Sequence, residues 1–308
     1  SSCPVRVNIP HMRSKFLSAY HDKFGRSWQD HVLSMFGYMY AIRKRFPRLS
    51  KIIVDNYFSR LFLDYFVGLH GLPKVKVFSS RKSRSWGRRS KRLVERVMKS
   101  SKIICLIDDQ FNSLYSPKVI EKSAKLIEAL GYKVFLLSLP SSGIIKHNLG
   151  MLPGFKKIAK NNIKVFNEIS SLGVSIVCIE PSVSICFEDE YKAFFPNDCT
   201  YKVELINSWM NKVINDRVKK GLKWGKDLKV RGSYGLFSHC SERSLAPDSI
   251  KHWHNVFSYF GVELEAKPLG CCGMAGLYGH LKENRKNSVG IYQKNWGVNI
   301  KEKGVDNI

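Results

Sequence analysis

The sequence predicts an α/β protein: a helical amino-terminal region, then two pseudo-equivalent βαβαβ repeats with parallel sheets, the second truncated. Three observations predict it. From residue 102 the apolar pattern changes from helical spacing to short buried-strand runs alternating with amphipathic helices. That alternation occurs twice, at matching distances from matching glycines. The 308 residues are 44% hydrophobic and 12% aromatic, enough for one large or two ordinary cores.

Residues 1–73 read as a helical region that begins at the end of a ferredoxin-like cluster motif. A Cys3-Pro4 pair before a short apolar run is how such motifs finish, so Cys3 is a candidate metal ligand whose companions lie elsewhere. Phe16, Leu17, Tyr20 and Phe24 recur at helical spacing, as do Trp28, Val32, Met35, Phe36 and Met39. We expect these stripes to face a core. Pro47 and Gly71-Leu72-Pro73 punctuate the helices.

Residues 74–101 are expected to be a basic linker running into a helix with Leu93, Val94, Val97 and Met98 on its apolar side. Arg81, Lys82, Arg84, Arg88, Arg89, Lys91, Arg92, Arg96 and Lys99 make it the most nucleic-acid-like segment, with Trp86 interleaved. No zinc-finger spacing, ribonucleoprotein motif or helix-turn-helix pattern accompanies it, so a nucleic-acid partner is not expected.

The first repeat is placed at 102–200. Lys102 to Ile107 is a buried-strand run ending at Asp108-Asp109, and an amphipathic helix (Val119, Ile120, Ala124, Ile127, Leu130) stops at Gly131. Tyr132 to Leu137 is a second strand, a helix covers about 155–169, and Val174 to Ile179 is a third strand. The second repeat, 201–308, runs from the strand Ser233–Phe237 through a helix (Ile250, Trp253, Val256, Phe257, Phe260) to Gly261 and the strand Val262–Ala266. Strand–helix–strand order of this kind implies parallel pairing.

Counting from the two glycines aligns the copies. Ser141-Ser142-Gly143 begins ten residues past Gly131, and Cys271-Cys272-Gly273 begins ten past Gly261. Cys240 lies 21 residues before Gly261 and Asp109 lies 22 before Gly131. In parallel sheets ligands sit beyond the carboxyl ends of strands, where Cys240 and the Cys271-Cys272 pair fall. Adjacent cysteines strain a mutual disulfide, but two neighbouring thiolates can ligate a cluster when glycines turn the backbone tightly. The alternative is that both are small buried hydrophobes. Serine hydroxyls and a carboxylate are poor ligands for iron–sulfur, so the first copy is expected to be a metal-free scaffold and the second the site.

Eight cysteines in a large chain without a secretory pattern point to a reducing compartment, hence a cytoplasmic expectation. Cys105 and Cys178 lie in apolar strands and are expected to be buried, while Cys186 and Cys199 lack partners at ligand spacing. His239 and His280 are candidates for tuning the site, with strand-end polarity or solvent as the alternatives. His147 is read as a partner contact or a surface residue, and Glu242 as a helix-start charge. Lys plus Arg number 51 against 25 Asp plus Glu, a net +26 that suits nucleic acid, an anionic membrane face or an acidic protein. No run of eighteen uncharged apolar residues occurs.

Cys240 followed by Cys271-Cys272-Gly273 resembles the duplicated cysteine-rich domain named for its Cys-Cys-Gly motif. That domain occurs in heterodisulfide reductase, in the iron–sulfur component of glycolate oxidase and in anaerobic glycerol-3-phosphate dehydrogenase. Cys3-Pro4-Val5-Arg6-Val7, Leu106 through Phe111, Ile179 through Val183, and Gly270 through His280 further resemble the carboxy-terminal region of fused FAD-linked oxidases of the D-2-hydroxyacid (D-2-hydroxyglutarate) dehydrogenase type. Those relatives also lack cysteines in the first repeat.

The resemblance implies an iron–sulfur cluster, or zinc instead, on Cys240, Cys271 and Cys272. It implies FAD only on a missing domain or partner, a flavin-binding dehydrogenase partner and a downstream electron acceptor. Peripheral association with the inner face of the membrane is also compatible with it. The flavin and substrate portions are expected to be missing before Cys3. Thirty residues past Gly273 is Lys303, so the last strand of the second repeat, with its further ligands, is expected to be mostly absent. Two other readings stand beside this one: a basic nucleic-acid or anionic-surface binder, and a metal-free remnant.

Overall fold

The computed structural model describes residues 7–38, 46, 56–73, 84–86, 102–222, 232–267 and 269–301. Cys3, Met39 and most of the basic segment lie outside the described residues. The chain splits into two compact units, Ser1–Asn56 with Lys74–Ile206, and Tyr57–Pro73 with Asn207–Ile308.

In chain order the helices are α1 (Ile9–Phe24), α2 (Trp28–Ser34), α3 (Tyr57–Phe66), α4 (Gln110–Tyr115), α5 (Pro117–Ala129), α6 (Ile144–Asn148), α7 (Leu152–Ser171), α8 (Pro181–Ile185), α9 (Tyr191–Phe194), α10 (Ile206–Lys219), α11 (Cys240–Leu245), α12 (Ser249–Tyr259), α13 (Arg285–Tyr292) and α14 (Val298–Lys301). The strands are β1 (Arg84–Ser85), β2 (Lys102–Ile107), β3 (Tyr132–Leu137), β4 (Ser175–Cys178), β5 (Val203–Leu205), β6 (Ser233–Leu236) and β7 (Glu263–Ala266). π-helical turns at Cys186–Glu190 and Gln293–Gly297 join α8 to α9 and α13 to α14.

The first unit holds a five-stranded sheet in the order β1-β3-β2-β4-β5, every pairing parallel. Ile103 to Ile107 are all buried, as a central parallel strand covered on both faces requires. Helix α5 buries Ile120, Ala124 and Ile127, and α7 buries Phe155, Ala159, Ile163, Phe166 and Ile169. Both sets fall at three- and four-residue spacing, which puts each set on one helix face. Cys105, Cys178 and Cys186 belong to this core. The α/β architecture read from the periodicity is the one observed.

Three details differ from the sequence reading. The sheet continues past residue 200 to β5. The segment read as a linker supplies the edge strand β1, and Trp86 beyond it packs edge-on to Phe135 with ring centroids 6.1 Å apart. The stripe read as a core face on α1 and α2 is turned outward: Phe16, Tyr20, Phe24, Trp28 and Met35 are exposed, although Phe36 is buried. Periodicity reports that a helix is one-sided and is silent on which side is covered. On α1 the covered side is the narrow one, where Ser14 is buried and the Leu17–Ser18 backbone runs against Gly150, whose missing side chain leaves the room.

The second unit carries a two-stranded parallel sheet, with Ser233, Tyr234, Gly235 and Leu236 of β6 opposite Glu263, Leu264, Glu265 and Ala266 of β7. Among the described residues no third strand joins it. The segment after α3 pairs with the far end of the chain through an antiparallel bridge between Leu69 and Leu281. Lys282 N–H donates to the Gly68 carbonyl at 2.8 Å.

Candidate functional site

The two α/β copies match locally. In the first, Asp109 caps α4, its carboxylate accepting from Phe111 N–H and Asn112 N–H at 3.0 and 2.9 Å. In the second, His239 caps α11, its Nδ1 accepting from Ser241 N–H at 3.2 Å. An imidazole that accepts at Nδ1 carries its proton on Nε2. The cap-to-cap match settles the one-residue slip in the sequence count: Asp109 corresponds to His239, and Gln110 to Cys240.

The glycine loops match as well. Gly143 (φ 76°) donates its N–H to Ser141 Oγ at 3.0 Å, and Gly273 (φ 82°) donates its N–H to Cys271 Sγ at 3.3 Å. The same turn thus presents a hydroxyl in one copy and a thiol in the other. A backbone N–H aimed at sulfur stabilises a thiolate, as it does in metal–thiolate sites.

In the first copy this place is closed. Ser141, Ser142 and Gln110 are buried. Asn162 Nδ2 donates to the Ser141 carbonyl at 2.9 Å and to Tyr191 Oη at 2.8 Å, and Tyr191 O–H donates to the Ser142 carbonyl at 2.7 Å. Gly37 is packed onto the same spot, where any side chain would overlap Ser141 Oγ. Burial raises the thiols of Cys105, Cys178 and Cys186, so the first unit's core cysteines are poor thiolate donors.

In the second copy it is open. Cys240 and Cys271 are exposed, Cys272 is half-buried, and all three are free. Cys240 stands four residues beyond β6 and the pair starts five residues beyond β7, so both loops leave the same end of one parallel sheet. The Cys-Cys-Gly loop is held from outside. Trp296 Nε1 donates to the Gly270 carbonyl at 3.2 Å, and Gly273 and Gly279 lie against Ser288 of α13. His280 Nδ1 lies 3.2 Å from the His70 carbonyl, and the His280 carbonyl accepts from His70 N–H at 2.7 Å. In kind, thiols are donors that suit an iron–sulfur cluster or zinc. They are not gathered: among the described residues no three His, Cys, Asp or Glu side chains stand together as a metal site.

Two features escaped the sequence reading. Glu242, read as a helix-start charge, is buried and accepts from Asn207 Nδ2 at 3.1 Å, from Trp253 Nε1 at 3.0 Å and from Ser249 Oγ. It anchors the first turn of α11, and with it Cys240. His147, read as a partner contact or surface residue, is 1% exposed, its Nε2 lying 3.5 Å from Glu190 Oε2 on a π-helical turn. A polar residue flanked by Lys146 and Asn148 gives no sequence signal of burial.

Burial lowers His147 from 6.5 to about 4, and burial with the nearby Asp189 charge raises Glu190 from 4.5 to about 7. Between those values the pair holds one proton, on the carboxyl. The Glu190 contribution is complete below about 4.5 and is lost as pH rises through about 7; the His147 contribution is complete above about 6.5 and is lost as pH falls through about 4. We therefore expect Glu190→Gln to gain stability relative to the parent chain between pH 5 and pH 8, read as the shift in urea midpoint at each pH. A difference between the two chains that is the same at both pH values sinks this assignment.

The chain is 29% identical over 304 residues to the D-2-hydroxyglutarate dehydrogenase of Escherichia coli (strain K12), covering 96% of this chain and 29% of that protein. It is 29% identical over 308 residues to the D-2-hydroxyglutarate dehydrogenase of Haemophilus influenzae, covering 96% of this chain and 30% of that one. The chain therefore spans under a third of the length of the curated relatives it matches. No family model matches the chain, and no solved structure matches it.

Proposed function

We propose that this chain is the electron-transfer module of a flavin-linked 2-hydroxyacid dehydrogenase. It holds an iron–sulfur cluster through Cys240, Cys271 and Cys272, relaying electrons from FAD on a separate domain or partner chain to a downstream acceptor. The observation that carries this reading is the matched pair of glycine loops, hydroxyl-bearing and sealed in one copy, thiol-bearing and open in the other. Similarity to named dehydrogenases along nearly the whole chain supports the reaction class.

When bound, the cluster supplies one-electron transfer. The chain's own part is to present three thiolates from two adjacent strand ends, with Gly273 N–H on one sulfur and Glu242 anchoring the turn that carries another. Cys3 belongs to the same reading as a ligand of a second cluster. Zinc, with three thiolates and an open fourth position, is the other metal the donors suit.

The test is anaerobic reconstitution of the full chain with iron and sulfide, measuring bound iron, acid-labile sulfide and visible charge-transfer absorbance. All three are expected to appear, to be lost in Cys271→Ser and to persist in Cys199→Ser, which alters a free cysteine of the other unit. A chain that takes up neither iron nor zinc, or a Cys271→Ser variant that loads normally, sinks the proposal.

A further inference from the structure

Helix α3 keeps its charges in and its rings out. Its only charged side chains, Arg60 and Asp64, are half-buried, whereas Phe58, Tyr65 and Phe66 are exposed. Stability alone favours the reverse arrangement. Arg60 and Asp64 stand four residues apart, hence on one helix face, and both line a cavity of about 330 Å³ that the returning segment completes with Leu69, His70 and Leu72. Those two leucines and Leu61 give the cavity an apolar wall. Asp64 Oδ2 lies 3.1 Å from His70 Nδ1, while Asp64 Oδ1 is buried without a hydrogen-bond partner. A buried carboxylate oxygen left bare is costly, and a ligand that donates to it removes the cost. Arg60 carries five donors in a rigid fork, the shape that receives a carboxylate.

We propose that this cavity binds a free α-amino acid with a branched aliphatic side chain. The ammonium donates to Asp64 Oδ1, the carboxylate lies on the Arg60 guanidinium, and the side chain covers Leu61, Leu69 and Leu72. Opposite charges on one wall and leucines on the other match a zwitterion with an apolar tail. A plain carboxylate would face Asp64 with nothing to offset it, and a plain amine would face Arg60 in the same way. The volume stands at the small end of ligand pockets, which suits a molecule of amino-acid size. Occupancy also bears on the neighbouring strap, because His70 N–H donates to the His280 carbonyl and Leu69 bridges Leu281. A ligand that holds Asp64 and His70 in place steadies these pairings. The proposal goes beyond the electron-transfer reading and does not depend on it, because binding requires no metal.

The experiment is isothermal titration calorimetry of the full metal-free chain with L-leucine, 4-methylpentanoate and 3-methylbutylamine. The last two lack the ammonium and the carboxylate respectively. Leucine is expected to bind with a Kd of about 1 mM, which its size allows, and each truncated analogue at least about tenfold more weakly. Asp64→Asn and Arg60→Gln are each expected to weaken leucine binding at least about tenfold. Phe58→Ser, which removes an exposed ring of α3 outside the cavity lining, is expected to bind leucine like the parent chain. Circular dichroism checks the fold of each variant, and the analogue series tests the parent chain with no substitution at all. Amide exchange at His70 and Lys282 is expected to slow when leucine is bound. The proposal is overturned if leucine does not bind, if either analogue binds as tightly, or if Asp64→Asn binds leucine unchanged. Exchange at those two amides that ignores bound leucine places the ligand elsewhere and overturns it as well.

Discussion

Gly273→Ala is expected to disorder the Cys-Cys-Gly loop and to cost about 3 kcal/mol of stability in the second unit. Two penalties coincide at this position. The backbone sits at φ 82°, which an L side chain rarely adopts, and a Cβ built there would overlap the Ser288 carbonyl of α13. A carbonyl inside a helix cannot swing aside as a flexible side chain would. Gly276→Ala is the matched control, at φ 70° with open space around it, and should show only the backbone cost of about 1–2 kcal/mol. Urea unfolding of both variants separates the terms, and iron loading of Gly273→Ala should fall with its stability. Equal midpoints for the two would remove the contact with Ser288 from the account.

Glu242→Ala is expected to lower stability by about 3–5 kcal/mol, because three donors converge on a single buried carboxylate and would be left without an acceptor. Those donors come from Asn207, Ser249 and Trp253, on α10 and α12, so the loss spreads beyond α11. Glu242→Gln keeps an acceptor oxygen and gives up the charge, so about 1–2 kcal/mol is the expected cost. Thermal unfolding followed by tryptophan fluorescence reads both variants, with Trp253 itself among the reporters. An alanine variant within about 0.5 kcal/mol of the parent chain would mean that the network is ornamental.

How much of this was legible beforehand depends on what a linear pattern can encode. The parallel sheets were readable because a strand buried on both faces leaves a run such as Ile103–Ile107, and because helix-ending glycines punctuate both copies at the same interval. The serine-for-cysteine exchange followed from counting alone, and the structure supports that register with one N–H donor in each loop. The partner of Cys240 was misjudged by one residue, since the residue that aligns the helices is the cap and not the ligand. The stripe on α1 was assigned to a core it does not enter, as one-sidedness leaves the covered side undetermined. The burial of Glu242 and His147 leaves no local pattern: Asn207 and Glu190 lie 35 and 43 residues from them, and the nearer partners of Glu242, Ser249 and Trp253 at 7 and 11 residues, stand on the next helix.

The pairing of Leu69 with Leu281 makes the second unit a discontinuous domain. His70 and His280, 210 positions apart, exchange backbone and ring contacts that steady the stretch just after the cysteine pair. During synthesis, residues 57–73 must wait for a segment some 210 positions further on before their partner exists. A gene fragment cut to begin at Lys74 would retain every candidate thiol of that unit and still lack the strap beneath it. Trimming to the apparent α/β repeats is therefore the wrong way to isolate a working half.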